Sequence, residues 1–559
     1  MPRPSQQLHP AVPTLTPRLA ATVLLLRDGP QGLEVLMTRR SAKASFAASL
    51  YVFPGGAVDA ADSEAPKQPG LVHQRSGQGG EQLTWALAAL RESFEEVGVL
   101  LARRADGSPA TQVEVDQLDA SIGRRNTAEA FYQACAQMGL QLMVDQVFVL
   151  ARWIGPLDIP KRFDTPFLVA RMPAGQTVQT DEHEQFEARW VRPAEALELH
   201  EKKQFAIMFP TERTLRRIAH FETVDALLDA CSEEPLWTYC PRGALDNGKE
   251  ARIVNDELAF GEIGLVTPHG QVAHTLEWQH ERPVPLLRNV RRLTAPNANR
   301  MTGPGTNSYI VGTEASGYAV IDPGPALDTH QQKLLEATGG DVRLIICTHS
   351  HPDHSPGAVL LQQLCAMMAE KPTPPIYGVP HGPDARADSQ FLPDEVLADG
   401  QTLLLEEPDG TRHTLQAILT PGHTANHVCL ALLEDELLFS GDHILNGSTT
   451  IIDPPDGNMG DYLASLDKLE RACEEQELEF ILPAHGYAMQ HATTVIEGLR
   501  AHRLAREARV AAAMEQLPDG APEDWVPLAY SDTPEALWPL ARRSLIAHVE
   551  HIRAKRGEA

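Results

Sequence analysis

The chain of 559 residues exceeds what one hydrophobic core ordinarily organises, so two or three domains are expected. With 43% hydrophobic and 22% charged residues it has the composition of a soluble globular protein, and its net charge of -27 repels phosphate, which excludes a general polyanion binder and leaves room only for a local basic patch. Seven scattered cysteines with no Cys-x-x-Cys pair suit a reducing cytoplasm better than a disulfide scaffold, and no run reaches the ~18 to 20 apolar residues that span a bilayer.

Residues 1–17, rich in Pro and Gln, read as a loose arm. Arg3 and Arg18 precede only a short apolar stretch, Leu19 to Leu26, which runs straight into Arg27-Asp28-Gly29. That is a first strand and turn rather than a secretory signal. Ala20 to Leu26 and Leu33 to Thr38 flank Asp28-Gly29-Pro30-Gln31-Gly32, a hairpin pattern. Tyr51-Val52-Phe53-Pro54-Gly55-Gly56 follows, and a helical pattern runs from about Leu83 to Arg103. On it Glu92, Glu95 and Glu96 stand at i, i+3 and i+4 and share one face. Three carboxylates so placed repel unless a hard divalent cation sits among them, and Mg²⁺ suits that role. Taken alone, a solvated acidic face is the plainer explanation; the glycine-rich loop upstream shifts the balance towards a cation site.

Residues 231–284 show weak periodicity and read as a connector with some strands. Cys231 and Cys240 lack partners at finger spacing and read as structural thiols. Beyond Pro285 the pattern is strand, loop, helix. Tyr309 to Val311 and Tyr318 to Ile321 read as strands, the second ending at Asp322-Pro323-Gly324. The buried run Leu344 to Cys347 leads into Thr348-His349-Ser350-His351-Pro352-Asp353-His354, with a helix expected from about Pro356 to Lys371. Three later runs end alike, at His423 beside Gly422, at Asp442 beside Gly441 and at His485 beside Gly486. Imidazoles and carboxylates at that density suit a borderline cation such as zinc. Strand ends converging on one edge of a sheet sandwich would build the site.

The first third resembles the Nudix hydrolases over about residues 18–230. The Nudix box, G-x5-E-x7-R-E-U-x-E-E-x-G-U with U apolar, is matched by Arg91, Glu92, Glu95, Glu96 and Gly98. Asp62 replaces the first Glu, Ser93 replaces an apolar residue, and an insertion containing Gly77, Gly79 and Gly80 stretches the spacing. Such stretched boxes occur in the coenzyme A diphosphatase group. Its upstream signature keeps register at Leu36 to Ser41 and Phe53 to Gly56, but Ser45 and Ser49 stand where Arg and Gly are expected. Arg162 to Thr165 and Glu184 to Trp190 look like later strands of the same fold. The resemblance implies an α/β/α sandwich, Mg²⁺ or Mn²⁺ held by Glu92, Glu95 and Glu96, catalytic roles for Glu95 and Glu96, and Arg91 orienting the carboxylates from behind.

Residues 285–490 resemble the metallo-β-lactamase superfamily, because H-x-H-x-D-H is followed in order by separate His, Asp and His motifs. The family pattern implies an αββα sandwich with two Zn²⁺. His349, His351 and His423 would hold the first and Asp353, His354 and His485 the second. Asp442 would bridge them, Asp353 would serve catalysis, and Asp322 would be an orienting acid behind the ligands. Such a pair of cations attacks thioesters or phosphodiesters alike. The full His/Asp set looks like the glyoxalase II and ribonuclease branches, so antibiotic hydrolysis is not inferred. His427 reads equally as a substrate contact or a packed residue, and His443 as structural.

Thr302 to Tyr309, Thr420 to His427 and the tail look like the lactamase-β-like endoribonuclease group, which carries a small winged-helix-like domain; residues 495–559 fit it. Helices are expected from Val495 to Met514 and from Pro534 to Arg556, the latter carrying Arg542, Arg543, Arg553, Lys555 and Arg556. Nine Lys or Arg stand there against ten Asp or Glu, so RNA contact is permitted but not demanded. The expectation is a multidomain α/β and α+β cytoplasmic protein: a Nudix diphosphatase for coenzyme A or nucleoside diphosphate derivatives, joined to a binuclear zinc hydrolase. The alternatives are a zinc head alone with a Nudix sensor, and an RNA-binding nuclease. Small molecules are the expected partners and no membrane is; nothing in the sequence specifies an oligomeric state.

Overall fold

A computed structural model describes residues 2–41, 49–180, 185–233, 237–368 and 371–558. The chain forms two compact units, Thr14–Pro241 and the combination of Met1–Pro13 with Arg242–Ala559.

In the first unit the strands Arg18–Gly29 and Gly32–Arg40 pair antiparallel, with Gly29 opposite Gly32 across a two-residue turn. Arg18–Gly29 also pairs parallel with Phe163–Arg171, and Val147–Ile154 and Trp237–Tyr239 extend the sheet on that side. Gln185–Val191 closes the other edge; Glu184, expected to begin that strand, lies outside the described residues. The helix Gly80–Val97 lays Leu83, Ala86, Leu87, Leu90 and Phe94 onto Val23, Leu25, Leu36 and Leu168 in one core. It stops at Val97 and not at Arg103, as its apolar pattern suggests. Gly98 takes a left-handed φ of 64° and its N–H closes back onto the Phe94 and Ser93 carbonyls. Ser93 is wholly buried, as the apolar residue expected there would be.

Two segments differ from expectation. The arm is not loose: Arg3 forks onto Asp435 with two bonds of 2.8 Å, Gln6 is buried, and its carbonyl accepts the Arg288 N–H at 2.8 Å. The segment expected as a connector is built into both units. Trp237–Tyr239 is an edge strand of the first sheet. From Arg242 onward a hairpin, Arg242–Asp246 with Lys249–Ile253, and a helix, Phe260–Val266, belong to the second. On that helix Glu262 is wholly buried and accepts from His274 Nε2 at 2.8 Å, from the Ala488 N–H at 3.0 Å and from Arg292. Weak periodicity hid this, because the segment is held by a buried charge cluster together with short apolar contacts of Ala244, Ile263, Leu265 and Val266.

The second unit stacks two sheets. One runs Val284–Leu287, Val290–Thr294, Asn307–Thr313, Gly317–Ile321, Val342–Ile346, Ile376–Gly378, Glu395–Val396. The other runs Thr402–Glu406, Arg412–Leu419, Val428–Leu432, Leu437–Gly441, Phe480–Pro483, Met489–Gln490. Because strand side chains alternate, Tyr309, Val311 and Ile321 meet Leu415, Leu430, Phe439 and Leu482 between the sheets. Their neighbours Ile310, Val320 and Ile345 face the helices Asp328–Thr338 and Gly357–Ala366. Cys429, Ala431, Leu438 and Ile481 face Met459–Glu475 and Ala492–Gln516 on the other side. The result is helix, sheet, sheet, helix. Gly357–Ala366 is shorter than the stretch to Lys371 that composition suggests.

The tail folds as three helices, Ala492–Gln516, Pro522–Ala529 and Trp538–Arg556. They close a small core around Val510, Trp525, Val526, Leu545 and Val549. Among the described residues no helix is long and apolar enough to cross a membrane.

Candidate functional site

Each candidate side chain of the second unit sits where a strand stops. Gly317–Ile321 ends at Asp322, whose φ of 50° is left-handed, a region Asp tolerates better than most residues. That bend returns its carboxylate across the neighbouring strand end. It accepts the Thr348 N–H at 2.7 Å, the Thr348 hydroxyl at 2.8 Å and His354 Nδ1 at 3.0 Å. With Nδ1 so occupied, His354 presents Nε2 to the cleft. His423 Nδ1 is likewise fixed on the Ile451 carbonyl at 2.8 Å and His485 Nδ1 on the Gly305 carbonyl at 3.1 Å. Leu437–Gly441 delivers Asp442 through Gly441 at φ 51°, where a Cβ would meet Thr348 Oγ1 at 2.8 Å and His427 Nε2 at 2.6 Å.

All seven metal ligands expected in this unit converge. His349, His351, His423 and Asp442 form one group and Asp353, His354 and His485 another, each with donor atoms within 4.8 Å of one another. His351 Nδ1 lies 3.0 Å from both His349 Nε2 and His423 Nε2. Nitrogens around a tetrahedral zinc-sized cation stand about 3.3 Å apart, so the spacing suits one. Asp442 divides its oxygens. Oδ2 faces His423 Nε2 at 3.6 Å, while Oδ1 faces His485 Nε2 at 3.3 Å and His354 Nε2 at 3.5 Å. Asp353 Oδ2 completes the second group at 3.3 Å from His485 and 3.4 Å from His354. His354 Nε2 and Asp442 Oδ1 are buried without a hydrogen-bond partner among the described residues, which fits donors meant for an ion.

The two groups differ in charge. Burial, with neighbouring imidazoles, holds His349 well below its ordinary pKa and His351 at about 3, so the first group is neutral imidazole beside one carboxylate. Burial also opposes charge on His354 and His485. There Asp442 and Asp353 outweigh it, raising His354 well above the ordinary value and His485 to about 10. The carboxyls of Asp353 and Asp442 stay ionised despite burial because these imidazoliums face them. A divalent cation entering the second group therefore takes the place of protons. His427 does not reach the cleft. It is buried, bonded to Thr420 Oγ1 at 2.8 Å, and its Nε2 accepts the Asp442 N–H at 3.2 Å. His443 is buried against Tyr462, the ring centroids 4.4 Å apart.

The carboxylate helix of the first unit is organised differently. Arg91 donates Nε to Asp62 Oδ1 at 3.0 Å and Nη2 to Asp62 Oδ2 at 3.1 Å, and Nη1 reaches Glu92 at 2.8 Å and Glu95 at 3.2 Å. Asp62 is wholly buried and also accepts the Tyr132 hydroxyl at 2.6 Å. Glu96 turns to the glycine-rich loop and accepts the Gly55 N–H at 2.9 Å. So Glu92 and Glu95 come together on Arg91, and Glu96 stands on the loop. Burial, above all, raises the Glu95 carboxyl to about 7, against the pull of Arg91. Ser49, where Gly is expected, keeps the left-handed backbone with φ 62°; Ser45 lies outside the described residues. Sequence reasoning missed Tyr132 and the Ile451 and Gly305 carbonyls. A backbone acceptor leaves no mark in residue type, and Tyr132 stands 70 residues from Asp62.

A sheet sandwich that gathers five imidazoles and two carboxylates at one end defines a metal-dependent hydrolase. The comparisons agree. The Metallo-beta-lactamase superfamily pattern matches residues 301–485, the NUDT19 Nudix domain pattern 67–218, and the Beta-lactamase associated winged helix domain pattern 521–556. The chain belongs to the metallo-β-lactamase superfamily, with a Nudix domain before the hydrolase core and a winged helix domain after it. It is similar to the Beta-lactamase-like protein 2 homolog of Caenorhabditis elegans, 29% identical over 265 residues, covering 46% of this chain and 82% of that protein. The Drosophila melanogaster protein of the same name is 29% identical over 278 residues, 48% of this chain and 88% of the relative. An Atrochrysone carboxyl ACP thioesterase of Paecilomyces divaricatus is 30% identical over 252 residues, 43% and 71%.

Proposed function

We propose that the chain is a two-headed hydrolase whose second unit holds two zinc ions and cleaves a thioester, and whose first unit holds Mg²⁺ or Mn²⁺ and cleaves a diphosphate. The observation that carries the first half is the division of Asp442, one oxygen towards each group of donors. His349, His351 and His423 would hold one cation, Asp353, His354 and His485 the other, and Asp442 both. Such a pair supplies Lewis acidity and a nucleophile at neutral pH. The chain's own part is to hold the imidazoles in one tautomer, through Asp322, Ile451 and Gly305, and to accept a proton at Asp353. Asp353 is the most exposed of the carboxylates, its side chain 25% exposed, and Thr306 Oγ1 steadies it at 3.5 Å.

The thioester is favoured by the thioesterase named above among the relatives. The phosphodiester reading would need a free basic surface on the last helix. Arg542, Arg543, Lys555 and Arg556 are instead paired with Glu523, Asp453, Glu507 and Glu515. In the first unit Glu92, Glu95 and Glu96 would hold the harder cation, with Arg91 setting their orientation. Both bonds occur together in one class of molecule, the coenzyme A thioester, and that class is the proposed substrate. Cys135, Cys347, Cys365, Cys429 and Cys473 are free thiols, which supports a reducing compartment such as the cytoplasm. The test is an assay of purified protein on acyl-coenzyme A, free coenzyme A, nucleoside diphosphate derivatives and short RNA, with Zn²⁺ and Mg²⁺ supplied separately. Thiol release with Zn²⁺ and phosphate-ester products with Mg²⁺ are expected. Cleavage of RNA with no thiol release would overturn the thioester half.

A further inference from the structure

The C-terminal helices do more than cover the second unit. Four consecutive residues, Thr450 to Asp453, lie between them and the candidate metal centre. On one side, Thr450 Oγ1 donates to the Asp442 carbonyl at 2.8 Å, and the Ile451 carbonyl fixes His423 Nδ1 at 2.8 Å. On the other, Arg503 of the helix Ala492–Gln516 donates Nη2 to the Thr450 carbonyl. Ser544 of the helix Trp538–Arg556 accepts the Ile452 N–H at 3.2 Å, and Arg543 reaches Asp453 at 3.4 Å. The contacts through Thr450 and Ile452 are dry: Thr450 is 2% exposed, Ile452 0%, Arg503 3% and Ser544 6%, while Ile451 and Asp453 are half-buried. Arg503 also lies over the Tyr462 ring at 5.0 Å, and the Tyr462 hydroxyl donates to the His443 carbonyl at 2.8 Å, next to Asp442. Two routes thus lead from one buried guanidinium to the backbone around Asp442.

We infer that the C-terminal helices act as a clamp that sets the first cation site, with Arg503 and Ser544 as positioning residues for His423 and Asp442 through the strap Thr450 to Asp453. The physical case is that a ligand imidazole is only as well placed as the acceptor holding its other nitrogen. Here that acceptor is a loop carbonyl, and the loop owes two of its backbone bonds to the tail. The second site shares only Asp442 with the strap. His354 is held by Asp322 and His485 by the Gly305 carbonyl, from other elements.

This rests on the binuclear reading above, and the experiment separates the two. Full-length protein is stripped and titrated with Co²⁺ alone, followed by visible absorption and by equilibrium dialysis. Wild type is expected to take two ions. Arg503→Met should bind one of them at least about 10-fold more weakly and the other, which shares only Asp442 with the strap, less so; Arg503→Lys should restore part of the loss. Two ions bound by folded Arg503→Met with wild-type affinities would overturn the clamp. Fewer than two in wild type would overturn the binuclear reading instead. Should Arg503→Met not fold, Ser544→Ala, which removes one hydrogen bond, bears the same expectation and the same refutation.

Discussion

The two candidate sites answer the same problem, holding a divalent cation, in opposite ways. In the second unit the donors are fixed from behind and face one another across a gap with no side-chain cation between the carboxylates but the imidazoliums of His354 and His485. In the first, a guanidinium already stands among the carboxylates, and Arg91 holds Glu92, Glu95 and Asp62 at once. The histidine site is preorganised, and a cation entering it would take the place of protons. In the carboxylate site one guanidinium offsets only part of the charge of Asp62, Glu92 and Glu95, and a cation would share Glu92 and Glu95 with Arg91. A built cage binds tightly, whereas a helix face already served by an arginine binds weakly and exchanges readily.

The largest effect that would break this contrast is at Asp442. Asp442→Ala removes the one carboxylate that faces both groups among the described residues, so metal content and thioester hydrolysis should fall together by orders of magnitude while diphosphate cleavage persists. Metal analysis beside both assays reads this, and full metal content in that variant would end the bridging assignment. Next comes Glu95→Gln, which should lower Mg²⁺-dependent diphosphate cleavage roughly 100-fold or more, with zinc content untouched. Loss of both activities in either folded variant would mean one shared site and not two.

A third prediction sharpens the comparison through stability. Glu262 is buried beside Arg292 and His274. Burial alone would raise its carboxyl, but these donors and the Ala488 N–H pull it down to about 2. In the unfolded chain the group titrates near its ordinary value, so below that pH the unfolded state takes up a proton that the native state refuses. The stabilisation is complete above about 4.5 and is lost as pH falls towards about 2. Glu262→Gln should cost about 3 kcal/mol in the second unit and flatten that acid dependence, read by thermal melts across pH. The smallest effect is at Arg3. Arg3→Ala frees Asp435, which Asn289 still serves at 2.7 Å, and about 1 kcal/mol is expected from the melt of the second unit alone.

The metal cage was legible because its ligands are chemically unusual residues, each placed at the end of a short apolar run; His349 to His354 announces itself. The sandwich was legible only through the family that the cage motif resembles, since Tyr309, Ile310 and Val311 are apolar throughout and their division between two cores shows only in the structure. What stayed hidden depends on partners distant in sequence. Arg3 meets Asp435, Arg242 meets Gln490 at 2.7 Å, and Glu262 meets Ala488, so neither the arm nor the presumed connector carries a local signature. Asp62 stands where the box has its first Glu. In the structure it is the bidentate partner of Arg91, and a shorter acid serves because the helix Ala60–Glu64 brings it close.

The docking of residues Met1–Pro13 with the unit that resumes at Arg242 has a consequence for the order of events on the ribosome. Asp435 is made 432 residues after Arg3, roughly 20 to 90 s later at bacterial or eukaryotic elongation rates. In that interval the whole of Thr14–Pro241 has emerged and is free to fold as a unit by itself. The bond from Arg3 to Asp435 therefore closes only after that interval, whereas the Gln6 carbonyl can meet the Arg288 N–H earlier.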